Sequence, residues 1–108
     1  MASYATIQLN YQKAIRQANQ LEDLANDLRN IANRNVDDAL DQVAANWKGD
    51  SANMFLQKGN KAKNDLIASA KQLSNTAKAI RKAAENVRRA ELEAKRIAEM
   101  IAKRASGK

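Results

Sequence analysis

The 108-residue chain contains no cysteine, no histidine and no proline, and only three glycines. The lack of cysteine excludes a disulfide framework and a thiol active site, and the joint lack of cysteine and histidine excludes the common zinc sites. The sequence also has no glycine-rich loop of the kind that holds a phosphate group. We therefore predict that the protein is not an enzyme, has no catalytic, metal-binding or cofactor-binding residue, and takes no small-molecule substrate.

The absence of proline and the presence of 22 alanines favour helix over sheet along the whole chain. Large apolar residues are few: nine Leu, seven Ile, three Val, three Met and four aromatic residues. A single chain of this size and composition forms only a small core, so we expect it to associate with a second chain. No run of 18 apolar residues occurs, and we predict that no segment spans a membrane.

The net charge of +7 is distributed unevenly between the two halves of the chain. Residues 1–49 contain five Lys or Arg and six Asp or Glu, whereas residues 50–108 contain fourteen and six. The second half therefore carries a charge of +8. A basic half of this kind indicates an acidic partner, a nucleic acid or an anionic surface, or simply a solvated helix face.

Apolar residues in the first half recur at alternating intervals of four and three, which is the spacing of a helix packed along one seam. They are Ile7, Tyr11, Ala14, Ala18, Leu21, Ala25, Leu28 and Ala32. The pattern continues at Val36, Leu40, Val43 and Trp47 after one extra interval of four. We predict a helix over residues 5–45, with a local change of supercoil but no break near residues 32–36.

The second half repeats this spacing, and we predict a helix over residues 51–104. The seam residues are Leu66, Ala70, Leu73, Ala77, Ile80, Ala84 and Val87. Beyond Val87, one continuation uses Glu91, Ala94, Ala98 and Ile101, and another uses Ala90, Ala94, Ile97 and Ile101. Gly59 costs about 1 kcal/mol inside a helix, so it either permits close packing or marks a weak turn.

A stop signal and a start signal meet in the turn that we predict at residues 46–50. Gly49 is suited to the positive φ that ends a helix, and Asp50 or Ser51 can cap the next one. A connection this short makes the two helices antiparallel neighbours. We predict an all-α fold in which residues 1–104 form one antiparallel helical hairpin, residues 105–108 form a frayed tail, and two hairpins pair into a four-helix bundle. The expected seam residues are Leu21, Leu28, Leu40, Val43, Phe55, Leu66, Leu73 and Ile80.

Trp47 is the only tryptophan, and it lies next to this turn. It can cover the end of the bundle by packing on Val43 and Phe55, which is the more common role of an aromatic residue. It can also remain partly exposed and act as a recognition residue, because tryptophan combines a large apolar ring with one N–H donor.

Trp47-Lys48-Gly49 stands near the middle of a proline-free double heptad pattern of about a hundred residues. With this motif between two amphipathic segments, the chain resembles the WXG family, the ESAT-like early secreted antigens, over residues 1–104. The N-terminal sequence also does not fit an ordinary signal peptide. The resemblance implies a small helical-hairpin protein that is made in the cytoplasm of a Gram-positive-type bacterium and exported folded by the type VII secretion system. It would act as a secreted dimer or as the co-secreted targeting partner of a larger effector.

The same resemblance implies the partners and a second part of the export signal. The partners would be a second copy, a related hairpin protein or a larger type VII effector, together with the translocase ATPase. The family carries a Tyr-x-x-x-Asp/Glu motif near the end of the second helix, close to the WxG turn of the other subunit. This chain has no tyrosine there, and the nearest match is Val87 with Glu91. We interpret Trp47, Gly49, Val87 and Glu91 as the export signal, against the alternative that Val87 and Glu91 form an ordinary surface pair.

The basic segment from Lys78 to Lys108 admits other functions. It can recognise an acidic protein surface, or it can belong to a basic cytoplasmic protein that binds nucleic acid. The second function is disfavoured because no aromatic residue stands among the basic ones to stack on bases. A third possibility is association with a membrane surface, but the apolar face is mostly alanine, so insertion should be weak.

Overall fold

The computed structural model describes residues 3–107, and all regular secondary structure in that range is helical. Helix α1 comprises Tyr4–Asn30 and continues directly into a π-helical segment, Ile31–Val36. Helix α2, Asp37–Asn46, follows without interruption, and after a short break helix α3 comprises Asp50–Ser106. The predicted all-α fold class is confirmed.

Helix α1 begins at Tyr4 because Ser3 caps it. The Ser3 hydroxyl accepts a hydrogen bond from the backbone N–H of Thr6 at 3.1 Å, and the Ser3 carbonyl accepts one from the N–H of Ile7 at 2.9 Å. Serine is among the best residues for this position, since its side chain satisfies an amide that has no partner within the helix.

The π-helical segment lies where the apolar pattern contains its extra interval of four. At its end the backbone N–H of Asp37 donates to the carbonyl of Ala32, five residues earlier. A π-turn holds one more residue than an α-turn, so it absorbs the mismatch between the two heptad registers. The predicted continuity of the first helical stretch is confirmed, and the change in winding takes the form of this π-turn.

The break between α2 and α3 consists of Trp47, Lys48 and Gly49. The backbone of Trp47 is extended, with φ −132° and ψ 130°, and Gly49 has a φ of +107°. The Gly49 carbonyl accepts the N–H of Asn53 at 3.0 Å, so Gly49 itself stands at the start of α3. The prediction that Asp50 or Ser51 caps α3 is wrong, because both already lie inside the first turn.

The second helix extends slightly further than the sequence indicated. Ala105 and Ser106, predicted as part of a frayed tail, belong to α3. The Ser106 hydroxyl donates to the Ala102 carbonyl at 3.0 Å, and the N–H of Gly107 donates to the Lys103 carbonyl at 2.8 Å. These bonds satisfy carbonyl groups that a helix C-terminus would otherwise leave unpaired. The last residue of the predicted tail, Lys108, lies outside the described residues.

The chain divides into two compact units. The terminal unit consists of Met1–Asn19 and Ala77–Lys108, and the central unit consists of Gln20–Thr76. In the terminal unit the buried residues are Ile7, Ala18 and Ala77. In the central unit they are Ala25, Ala32, Leu40, Ala52 and Ala70.

Alanines therefore occupy most of the buried positions, and the larger seam residues lie beside them. Leu40 is buried, whereas the other expected seam residues of both units are half-buried: Leu21, Leu28, Val43, Leu66, Leu73 and Ile80. Phe55 is an exception, because its side chain is 50% exposed and the positions facing inward nearby are Ala52, Leu56 and Gly59. Small buried residues let helix backbones approach closely, and this leaves the leucines only partly covered within one chain.

Gly59 is one of the positions where the backbones come close in the central unit. A β-carbon at this position would lie 3.3 Å from Leu40 Cγ and would overlap Leu40 Cδ2. Helix α3 continues through Gly59 without interruption. Of the two predicted roles for Gly59, close packing is confirmed and a weak turn is not.

Within residues 3–107, no helix has both the length and the apolar character that are needed to cross a bilayer.

Candidate interaction surfaces

The first candidate surface is the break surface, formed by Trp47, Gly49 and Phe55 in the central unit. The rings of Trp47 and Phe55 pack with their centroids 6.0 Å apart and their planes tilted by 53°. Trp47 nevertheless remains 44% exposed and Phe55 50% exposed. The sequence left two roles open for Trp47, and its geometry combines features of both, since the ring packs on Phe55 while much of it faces solvent.

Three hydrogen bonds next to the break surface are donated to backbone carbonyl groups at the C-terminal end of α2. The N–H of Trp47 donates to the Val43 carbonyl at 2.9 Å, and the Lys48 ammonium donates to the Ala44 carbonyl at 3.2 Å. The Asn46 side-chain amide donates to the Gln42 carbonyl at 2.9 Å. These bonds give partners to carbonyl groups that the C-terminal end of a helix would otherwise leave unpaired.

The second candidate surface is the terminal groove, an apolar groove of about 260 Å³ in the terminal unit. Val87 and Glu91 both line it, together with Ile7, Tyr11 and Arg88. The Val87 side chain is 55% exposed, and Glu91 is half-buried. The two residues that the sequence paired as part of a signal therefore border the same groove.

The inward-facing positions of α3 beyond Ala84 agree only in part with the predicted continuations. They are Glu85, Arg88, Glu91, Leu92, Lys95 and Ala98. Glu91 and Ala98 of the first continuation are half-buried, whereas its Ala94 and Ile101 are exposed, as is every residue of the second continuation. Val87 is also exposed, and Arg88 and Lys95 face inward instead. The reason lies in two tyrosines of α1: the Arg88 guanidinium lies 4.0 Å from the centre of the Tyr11 ring, and the Lys95 ammonium lies 4.7 Å from that of Tyr4.

A cation over an aromatic face is attracted by the negative charge distribution of the ring, so a basic residue can replace an apolar one in this seam. Tyr4 and Tyr11 are seven residues apart, and so are Arg88 and Lys95. The two pairs thus repeat with the heptad period. This matched spacing was visible in the sequence and is the signal that would have identified Tyr11 and Arg88 as parts of the groove.

Carboxylates fix the two cations in position. Both Glu85 oxygens accept hydrogen bonds from Arg88 Nη2 at 2.8 Å, and this contact keeps the pKa of Glu85 below its usual value despite partial desolvation. Glu99 lies 3.5 Å from the Lys95 ammonium and accepts the Tyr4 hydroxyl at 3.0 Å. The same hydrogen bond raises the pKa of Tyr4. The tyrosine–cation pairs therefore belong to small charged networks rather than standing alone.

The charge of the protein is concentrated in the terminal unit. By sequence, that unit contains twelve Lys or Arg and four Asp or Glu, a balance of +8, whereas the central unit contains seven and eight, a balance of −1. Three of the four acids in the terminal unit are engaged by cations: Glu85 by Arg88, Glu93 by Arg96 at 2.6 Å, and Glu99 by Lys95. The field of this unit is consequently strongly positive.

The four residues predicted as an export signal therefore fall in two places. Trp47 and Gly49 belong to the central unit, and Val87 and Glu91 border the groove of the terminal unit. Trp47 and Gly49 are neighbours within the central unit, and Val87 and Glu91 line the same groove within the terminal unit. Searches of protein-family models, of curated proteins and of solved structures give no match to this chain.

Proposed function

We propose that the protein is a WXG-type helical hairpin that is exported in folded form by a type VII secretion system and acts by binding other proteins. In this proposal α1 with α2 forms one arm, α3 forms the other, and Trp47-Lys48-Gly49 is the turn. The protein would be made in the cytoplasm and released from the cell as a dimer or as the escort of a larger effector.

The observation that carries the proposal is the exposed indole at a break between two long helical stretches. A positive φ at Gly49 and an extended Trp47 allow the chain to change direction within three residues. Trp47 is 44% exposed even though its ring packs on that of Phe55. Tryptophan at such a position is a strong anchor for a partner, because it buries a large apolar area on binding.

The proposed mechanism is docking of the folded protein on the translocase ATPase. Trp47 and Gly49 would form one contact, and Val87 with Glu91 would form another, in place of the tyrosine-containing motif of the family. Glu91 borders an apolar groove and makes no ion pair among the described residues, so its carboxylate is available to a partner's donor. The two contacts recognise a folded state rather than a linear peptide.

A second helical-hairpin subunit is part of this proposal. Most seam leucines are only half-buried within one chain, and several large apolar residues are more than 40% exposed, including Ile97 and Ile101. Pairing with a second hairpin into a four-helix bundle would bury this apolar surface. The subunit can be a second copy, a related small protein or the helical segment of an effector.

A secretion assay tests the role of Trp47. The protein is produced in a bacterium with a working type VII translocase and in the same strain without it, and the culture supernatant is compared with the cells. We expect wild type in the supernatant only when the translocase works, and Trp47→Ala retained in the cells with its helix content unchanged. Met54→Ala is the matched control, since Met54 is 57% exposed near the same break and should be exported normally. Export of Trp47→Ala at the wild-type level would refute the proposal.

The second contact is tested in the same strains with Glu91→Gln and Val87→Ala. Glu93→Gln serves as the control for the carboxylate, because Glu93 is exposed and paired with Arg96. Leu9→Ala serves as the control for the apolar residue, since Leu9 is 46% exposed in the same unit and does not line the terminal groove. We expect a clear loss of export for Glu91→Gln and Val87→Ala and none for the controls. Equal export of all four variants would show that Val87 and Glu91 are an ordinary surface pair.

A further inference from the structure

The terminal unit carries a solvent-exposed apolar stripe on α3 beyond the residues that line the terminal groove. Its members recur at intervals of four, three and four and are all exposed: Ala90, Ala94, Ile97 and Ile101. The exposed fractions of Ile97 and Ile101 are 43% and 62%. This stripe is separate from the inward-facing positions of α3, which include Ala77, Ala84 and Ala98. We call it the outer stripe.

The spacing and composition of the outer stripe point to another helix as its occupant. Alternating intervals of four and three are what a packed helix requires, and a nucleic acid makes no use of such an apolar row. Half of the stripe is alanine, which gives little apolar area for entering a bilayer but lets a helix backbone come close. A helix therefore fits this face better than either a duplex or a lipid surface.

The positive charge around the outer stripe indicates the charge of the helix that can bind there. The terminal unit carries +8, and three of its four acids are already held by cations. Lys78, Lys82 and Lys103 are exposed and have no ion-pair partner within residues 3–107. A second copy of the chain would add another +7, and its central unit, at −1, offers no compensating negative charge. Like charges oppose such an association, whereas an acidic partner is attracted.

We propose that the outer stripe binds an amphipathic helix of a different, acidic chain, and that this helix supplies the second subunit in the proposed function above. The partner helix is acidic overall because the terminal unit around the stripe has a balance of +8. The pairing is a mixed one, and the chain alone remains monomeric at low ionic strength.

Two synthetic helical peptides of equal length test this inference on the full chain. Both carry the same Ala and Ile along one face, and one has Glu at the outward positions where the other has Lys. By fluorescence anisotropy at about 50 mM salt, we expect the acidic peptide to bind at least about tenfold more tightly than the basic one. Light scattering should show the chain alone as a monomer under the same conditions.

Matched variants locate the binding face. Ile97→Ser with Ile101→Ser should weaken binding of the acidic peptide about tenfold, while Leu24→Ser with Ile31→Ser, which removes equally exposed apolar residues from the central unit, should not. Lys82→Gln with Lys103→Gln should weaken binding about fivefold and reduce its salt dependence. The control with the same change in net charge is Lys58→Gln with Lys71→Gln.

Several results would overturn the inference: a stable homodimer at low salt, equal or no binding of the two peptides, or tighter binding of duplex DNA or of phosphatidylglycerol vesicles. These outcomes are independent of the export assay. Normal export of Trp47→Ala would remove the proposed function and leave the peptide result intact. Equal binding of the two peptides would remove the mixed pairing and leave the export signal intact.

Discussion

Substitution of Gly59 by alanine gives a sensitive test of the close helix packing in the central unit. Alanine is favoured over glycine inside a helix by about 1 kcal/mol, so Gly59→Ala should stabilise the protein if the position were open. The new β-carbon would instead overlap Leu40 Cδ2, and Leu40 is only 7% exposed, so its side chain has little space to move. Overpacking of this kind costs about 1–3 kcal/mol, and we expect a net loss of about 1 kcal/mol in the free energy of unfolding.

The sign of the effect should reverse when Leu40 is shortened. In a Leu40→Ala background the overlap is gone, so Gly59→Ala should stabilise the protein by about 1 kcal/mol, which gives a coupling free energy of about 2 kcal/mol. Urea unfolding followed by circular dichroism at one protein concentration measures all four corners of the cycle. Leu40→Val is a milder background if Leu40→Ala, which costs about 2–5 kcal/mol, unfolds the chain.

Asn60→Ala provides the control for helix propensity, because Asn60 is the exposed neighbour of Gly59. It should stabilise the protein by a few tenths of a kcal/mol, about equally in both backgrounds. The reasoning fails if Gly59→Ala stabilises the wild-type protein, or if its effect is the same with and without the Leu40 side chain. Either result would mean that the two helical segments do not approach each other at this position.

Three further predictions concern other features. Gly49→Ala should cost about 1–3 kcal/mol of unfolding free energy while leaving helix content unchanged, because a φ of +107° strains any residue with a β-carbon; an unchanged urea midpoint would contradict this. Ala25→Leu should destabilise by about 1–3 kcal/mol, since Ala25 is fully buried, whereas Ala39→Leu at an exposed site should change stability by less than about 0.5 kcal/mol; equal midpoints for the two variants would contradict it. The lowered pKa of Glu85 means that its pairing with Arg88 stabilises the fold above the unfolded-state pKa and is lost as the pH falls through the folded-state pKa. Thermal melts from neutral to acidic pH should therefore show a smaller acid destabilisation for Glu85→Gln than for wild type, and identical pH dependence would exclude a role for this pair.

The helical architecture was largely predictable because the relevant signals are local. Composition and heptad spacing predicted two long helical stretches, and Gly49 after Trp47 predicted the break between them. The extra interval between Ala32 and Val36 predicted a local change in winding, and the π-turn is its physical form. The capping role given to Asp50 or Ser51 was wrong, because both residues lie inside the first turn of α3 and the N–H of Asn53 already donates to the Gly49 carbonyl.

The details of the terminal groove were not predictable from hydrophobic spacing alone. That pattern treats a basic residue as exposed, so it extended the seam through Val87 instead of Arg88. Arg88 faces inward because the Tyr11 ring and the Glu85 carboxylate both stabilise its positive charge. Phe55 was misplaced for a related reason, since its ring pairs with Trp47 at the break and leaves the inward positions to smaller residues.

The π-turn at Ile31–Val36 implies an unusual tolerance to a change in chain length. Loss of a single residue there would shorten the interval after Ala32 from four to three and restore an unbroken alternation through Leu40 and Val43. The flanking helical stretches would keep their rotational phase, and Leu40 would still face Gly59. A one-residue deletion normally disrupts the packing of a long helix, but here it should change the stability of the protein very little. Homologous sequences can therefore differ by a single gap at this point and still pack the same helix faces together.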